Sequence, residues 1–138
     1  ADAQALPFPS ASFDLVFAHF LLLWVADPGR VLSEMRRLTR PGGAVLVIAE
    51  PDYGGRVDSP PELAQIGAWQ IASLQAQGAD PFTGRKLASL FADAGLGEVQ
   101  VGVLDVQRGM LQFRFAVVHS GLPGGLRAWA SMNSLMAP

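Results

Sequence analysis

Cysteine is absent from this 138-residue sequence, which excludes disulfides and thiolate metal sites. Histidine occurs twice, at the well-separated positions His19 and His119, so a histidine-based metal site is not expected. Charge is also sparse. Lys and Arg total 10 against 12 Asp and Glu, for a net charge of −2, and "RRLTR" at 36–40 is the only local basic cluster. A nucleic-acid surface would need a basic stripe, so none is expected. The longest apolar run, "LVFAHFLLLWVA" from Leu15 to Ala26, falls short of the roughly 20 residues that span a bilayer. No basic-then-apolar leader opens the chain. These absences predict a soluble, cytoplasmic protein without a nucleic-acid or membrane partner.

What is present suffices for one domain. Half of the residues are apolar, enough for a core. The chain opens at Ala1, without Met, in a proline-containing loop at 1–12, and so reads as a piece of something longer.

"FDLVFAHF" from Phe13 is apolar on both faces, the pattern of a buried parallel strand. "DPGRVLSEMRRL" then predicts a helix, with Asp27 as N-cap and Pro28 at the first helical position. Val31, Leu32, Met35 and Leu38 make one apolar stripe. Arg36, Arg37 and Arg40 crowd the helix end that favours positive charge and read as a solvated helix end rather than a binding patch. "RPGG" predicts a turn in which Gly42 takes the positive φ of a type II turn. "AVLVIA" follows as a second buried strand, whose side chains are each worth roughly 1.5–3 kcal/mol when fully buried. Strand, helix, turn and strand form a βαβ unit with a right-handed crossover.

Beyond the loop 50–58, Ser59 and Glu62 have capping-box spacing, ahead of a helix through Leu63, Ile66, Trp69 or Gln70, and Leu74 that ends near Gly78. Thr83 is the expected cap of another helix carrying Leu87, Leu90, Phe91 and Ala94, with Gly95 just past its end. "EVQVGVLDV" at 98–106 alternates like a strand. In the remainder, "MLQFRFAVV" fits helix or strand, and 107–138 is expected to be a variable, mostly helical segment.

In open parallel sheets, ligands bind beyond the carboxyl ends of the strands. Glu50, Asp52 and Tyr53 follow a buried strand directly and are candidates for a substrate pocket at such a rim. Their alternative reading is a solvated loop.

The segment from Asp2 to Asp52 resembles class I S-adenosylmethionine-dependent methyltransferases of the methyltransferase type 11 group. Asp2-Ala3, Leu6-Pro7-Phe8 and Ser12-Phe13-Asp14 resemble the family's loop between strands three and four. Glu34, Arg37 and "RPGG" resemble the helix and turn before strand five, and "GRKLASLFADAGL" at 84–96 the helix before strand six. The resemblance covers roughly residues 1–106. It implies an α/β fold, the C-terminal part of a Rossmann-like three-layer sandwich with a mostly parallel sheet. It implies S-adenosylmethionine as cofactor and a small-molecule methyl acceptor. Asp2 would accept from the adenine amine, since a carboxylate only accepts, and the Ala3 amide would donate to the ring. Ala18, His19 and Phe20 would approach the methionine part of the cofactor. His19 could serve as a general base or be a structural residue. Trp24 is expected in the core, the alternative being a cover over the adenine. The Tyr53 ring could face the sulfonium. In-line alignment carries most of such a reaction, so no nucleophile–base triad is required.

The family's glycine-rich loop after strand one and its acidic residue after strand two have no counterpart here. "GLG" at 95–97 follows a helix and precedes a strand, the reverse of the required order. The strand at 13–20 would then be an open sheet edge, a route to self-association. The alternative function is accordingly a non-catalytic fragment or partner subunit that associates through that edge.

Overall fold

The computed structural model describes residues 2–104 and 113–119. The expected βαβ unit is present. β1 (Phe13–His19) leads through a 3-10 turn (Leu22–Trp24) into α1 (Pro28–Leu38), and β2 (Thr39–Pro51) returns parallel to β1. Asp27 caps α1, its carboxylate accepting from the Arg30 amide at 2.9 Å. The stripe of Val31, Leu32, Met35 and Leu38 is buried. Gly42 has the expected positive φ, 81°. The "RPGG" segment nevertheless remains within β2. Thr39 lies opposite Phe13 and Ala44 opposite Leu15, so the turn is a bulge inside the strand and not a break before it.

Three further elements follow in order: α2 (Ala64–Ala76), α3 (Thr83–Asp93) and β3 (Val99–Leu104). β4 (Phe113–His119) then inserts between β2 and β3, giving the sheet order β1-β2-β4-β3. β4 is antiparallel to both neighbours, so β1, β2 and β3 all point the same way. The architecture is a Rossmann-like α/β sheet. The ambiguous "MLQFRFAVV" thus contains a strand, and the sheet extends past residue 106 into the segment expected to be mostly helical. Residues 105–112 and 120–138 lie outside the described residues.

One face of the sheet carries the core. Ala18, Val45 and Val47 pack with Val31, Leu32 and Met35 of α1 and with Leu87 and Phe91 of α3. The alternate side chains of β1 point to the other face, where Leu15 and Phe17 are exposed, Phe17 to 64%. Among the described residues, no helix covers them.

Three local expectations are corrected. Ser59 does not cap α2: Pro60 and Pro61 carry no amide hydrogen, a 3-10 turn at Pro61–Leu63 intervenes, and Leu63 precedes the helix without a side-chain cap. Thr83 lies inside the first turn of α3, where its hydroxyl donates to the Asp80 carbonyl at 2.9 Å, while the Asp80 carboxylate accepts from the Phe82 amide at 3.0 Å. The apolar residues of α2 do not form a buried stripe. Only Gly67 of this helix is buried, and Ile66 and Trp69 are exposed, Trp69 to 65%. Gly67 is the contact point because the Arg56–Asp58 ion pair lies over it; a Cβ there would stand 2.8 Å from Asp58 Oδ2.

Candidate functional site

Two loops meet the carboxyl ends of β1 and β2, and a third, at 2–12, lies along α1. The third loop is held by side chains of the helix. Glu34, buried on α1, accepts from the Leu6 amide at 2.8 Å and from Arg37 Nε at 2.7 Å. Arg37 donates onward to the carbonyls of Leu6 (3.2 Å) and Phe8 (3.0 Å) and to Ser10 Oγ (3.1 Å). The amides of Ala11 and Ser12 close the loop on the last α1 carbonyls, Arg37 O and Leu38 O, both at 2.9 Å. Hydrogen bonding from Arg37, then from the Leu6 amide, holds the Glu34 carboxyl at about 2, below its ordinary 4.5. The resemblance had singled out Glu34 and Arg37 without a task. Their task is to fix the loop that carries Asp2, and Arg37 is no mere solvated helix end.

Asp2 sits in a short turn, its Oδ1 accepting from the Gln4 amide at 2.9 Å and its carbonyl from the Ala5 amide at 3.1 Å. A carboxylate has about four acceptor positions, so this leaves capacity for a further donor. Ala3 is half-buried against the core.

At the end of β1, Ala18 faces the core, so only its backbone is available to a ligand. His19 is exposed. Phe20 has a left-handed backbone, φ 53°, and its amide donates to the Ile48 carbonyl at 3.0 Å. Trp24 is not a core residue: it is 41% exposed and meets the Phe20 ring edge-on at 6.3 Å. The turn before it buries Leu22 and Leu23 instead.

Glu50 is fully buried, in contrast to the rim acid expected from its position. Its Oε1 accepts from the amides of Leu21 (2.7 Å) and Leu22 (2.8 Å), and Oε2 from Leu23 (3.1 Å). Burial pushes this carboxyl above its ordinary range, while the three amides and the nearby His19 oppose the shift. Asp52 pairs with Arg85 of α3 at 2.7 Å. Tyr53 is buried, its amide donating to Pro81 O at 2.9 Å, and burial raises its phenol. The structure therefore brings Phe20, Leu21 and Glu50 together and turns Glu50 and Tyr53 inward. Arg85 was not anticipated; its ion pair joins residues far apart in the chain, and no spacing rule reveals it.

A cavity of about 300 Å³, lined by residues that include Arg36, Arg40 and Leu96, lies at the amino end of β2, remote from these loops. Arg36 donates to Ala94 O, and Arg40 pairs with Asp14.

Residues 1–47, which hold the clamped loop, β1 and α1, match the family model of the methyltransferase domain. The chain has the fold of the class I S-adenosylmethionine-dependent methyltransferases and, over residues 1–47, the sequence pattern of a methyltransferase domain. Over 48 residues, the chain is 52% identical to the ubiquinone/menaquinone biosynthesis C-methyltransferase of Hahella chejuensis, a stretch equal to 35% of this chain and 19% of that protein. It is 36% identical over 94 residues to an uncharacterized 37.1 kDa protein in transposon TN4556 of Streptomyces fradiae, covering 68% of this chain and 27% of that one. A solved S-adenosylmethionine-dependent methyltransferase from Thermotoga maritima shares the fold with a TM-score of 0.62 at 21% identity, over 88% of this chain and 62% of that chain. The chain spans about a quarter or less of the length of the curated relatives it matches.

Proposed function

We propose that this chain forms part of the wall of an S-adenosylmethionine-dependent methyl-transfer site whose acceptor is a small molecule. The observation that carries the reading is the convergence of the Phe20–Leu23 and Glu50–Tyr53 loops beyond the carboxyl ends of two parallel strands. The residues present fit the adenine side of such a cofactor. The Asp2 carboxylate has spare acceptor capacity, and the Glu34–Arg37 clamp supports the loop beside it. The cofactor, when bound, supplies a methyl group already activated on a sulfonium.

This chain's own tasks are binding and orientation. Asp2 would accept from the adenine amine, and the Ala3 amide would donate to the ring. The backbone at Ala18, His19 and Phe20 would border the methionine part. Exposed His19 is the candidate to take a proton from the acceptor, an imidazole being suited to that near neutral pH. Asp52, pinned by Arg85, and buried Tyr53 would shape the acceptor side of the crevice.

Calorimetric titration with S-adenosylhomocysteine tests this. Saturable binding that is lost in Asp2→Ala is the expected result. A folded sample that produces no binding heat would overturn it.

A second reading, association through the β1 edge without catalysis, is favoured by the exposed Phe17 and by β1 pairing only with β2 among the described strands. Binding of S-adenosylhomocysteine by the chain would count against it.

A further inference from the structure

We propose that Glu50 is the positioning residue of this crevice. By accepting from three consecutive amides, Leu21, Leu22 and Leu23, it fixes the loop that leaves β1 and thereby the placement of His19 and Phe20. The role rests on reading this end of the sheet as the methyl-transfer site, whereas the first readout below needs no cofactor.

The geometry begins with a phase shift in β2. Side chains alternate along a strand, and Val45 and Val47 point into the core while Leu46 and Ile48 are only half-buried. Strict alternation would send Glu50 to the side of Leu46 and Ile48. Instead Ala49 adopts a left-handed backbone, φ 61°, and the pairing of β2 with β4 shifts register between Val47 and Glu50. Ala49, Glu50 and Pro51 are consequently buried in succession. That bulge is what carries the carboxylate to the amides beyond β1.

Those amides have few other options. They open a 3-10 turn whose own bonding starts only with the Trp24 amide donating to Leu21 O at 3.0 Å. Leu22 and Leu23 are fully buried, so water cannot replace the carboxylate there. Left-handed backbone in residues with a Cβ persists where surrounding bonds over-determine it. Here two such residues, Phe20 and Ala49, lie at adjacent strand ends and are tied by the Phe20–Ile48 hydrogen bond. The link continues: the Leu23 carbonyl accepts from the Asp80 amide at 2.7 Å, ahead of α3. One carboxylate thus ties the exits of β1 and β2 to the approach to α3.

Amide exchange and chemical shifts of the ¹⁵N-labelled chain test the proposal. In the wild type, Leu21–Leu23 should be protected and shifted downfield, as amides donating to a carboxylate. In Glu50→Gln, which offers a single side-chain acceptor oxygen, exchange at these amides should accelerate about tenfold or more relative to Val45 and Val47, with upfield shifts. Glu50→Asp, one methylene shorter, should give the same selective change. Uniform acceleration throughout the core, or no change at Leu21–Leu23, overturns the proposal. Should the variants fail to fold, the wild type decides: unprotected Leu21–Leu23 amides overturn the proposal, and protected, downfield ones support it. S-adenosylhomocysteine affinity in a folded Glu50 variant is expected to fall about tenfold; unchanged affinity overturns the positioning role. If the wild type itself does not bind, the functional reading fails, while exchange still decides whether Glu50 holds the loop.

Discussion

Arg37 Nη2 and Glu34 Oε1 lie 2.7 Å apart, one turn from each other on α1, and both also bind the loop ahead of β1. Replacing Arg37 removes donors to Leu6 O, Phe8 O and Ser10 Oγ at once. Arg37→Ala is expected to speed proteolytic cleavage within 6–12 while far-UV circular dichroism stays close to wild type. Arg37→Lys should not restore protection, because an ammonium lacks the planar fork that spans these acceptors. Cleavage at the wild-type rate would refute the clamp.

The same pair sets an acid limit. The Glu34 carboxyl is held at about 2 in the folded chain against an ordinary 4.5. A depressed carboxyl contributes stability that is present above its unfolded value and lost as pH falls through the folded one. The loop 6–12 should therefore loosen as pH falls from about 4.5 toward about 2. The Ala11 and Ser12 amide signals would report this, and Glu34→Gln should remove the dependence in that window.

Gly84 touches the end of β2 so closely that a Cβ would stand 2.7 Å from Glu50 O and 2.8 Å from the Pro51 carbonyl carbon. Both are backbone atoms, which cannot swing aside. Gly84→Ala is expected to cost about 1–3 kcal/mol in denaturant unfolding, the range of overpacking substitutions. Gly97, with nothing within 4 Å of its Cβ position, is the control, and Gly97→Ala should stay within about 0.5 kcal/mol of wild type.

Phe17 and Leu15 lie exposed on the sheet face opposite α1 and α3. A parallel sheet is ordinarily covered on both faces. The chain alone is expected to self-associate, and Phe17→Ser should lower its sedimentation-average mass at equal concentration. A wild-type monomer across the accessible concentration range would refute this.

Local signals were legible where one short stretch decides the outcome. Asp27-Pro28 starts α1 as its chemistry requires, Gly42 takes the positive φ expected of it, and Gly95 lies just past the end of α3 as expected. Reading failed where a second element intervenes. Ser59 has the spacing of a cap but is followed by two residues without amide hydrogens, and Asp80 organises the start of α3 in place of Thr83. Trp24 reads as core by hydropathy, yet the turn that buries Leu22 and Leu23 leaves it at the surface. The inward turn of Glu50 depends on a bulge at Ala49, an ordinary residue in an unusual conformation that no residue type announces. Residue identity put the candidates Glu50, Asp52 and Tyr53 after a strand, whereas long-range pairing determined that Glu50 and Tyr53 turn inward.

The insertion of β4 between β2 and β3 also orders assembly in time. β1, α1 and β2 are contiguous and can close on one another as soon as they are synthesised. β3 emerges before β4 yet pairs, among the described strands, with β4 alone. Until residues 113–119 arrive, β2 waits with one edge bare and β3 has no neighbour to join. Such distant pairings form slowly, so the nascent chain should pass through a stage in which a finished βαβ unit waits for β4.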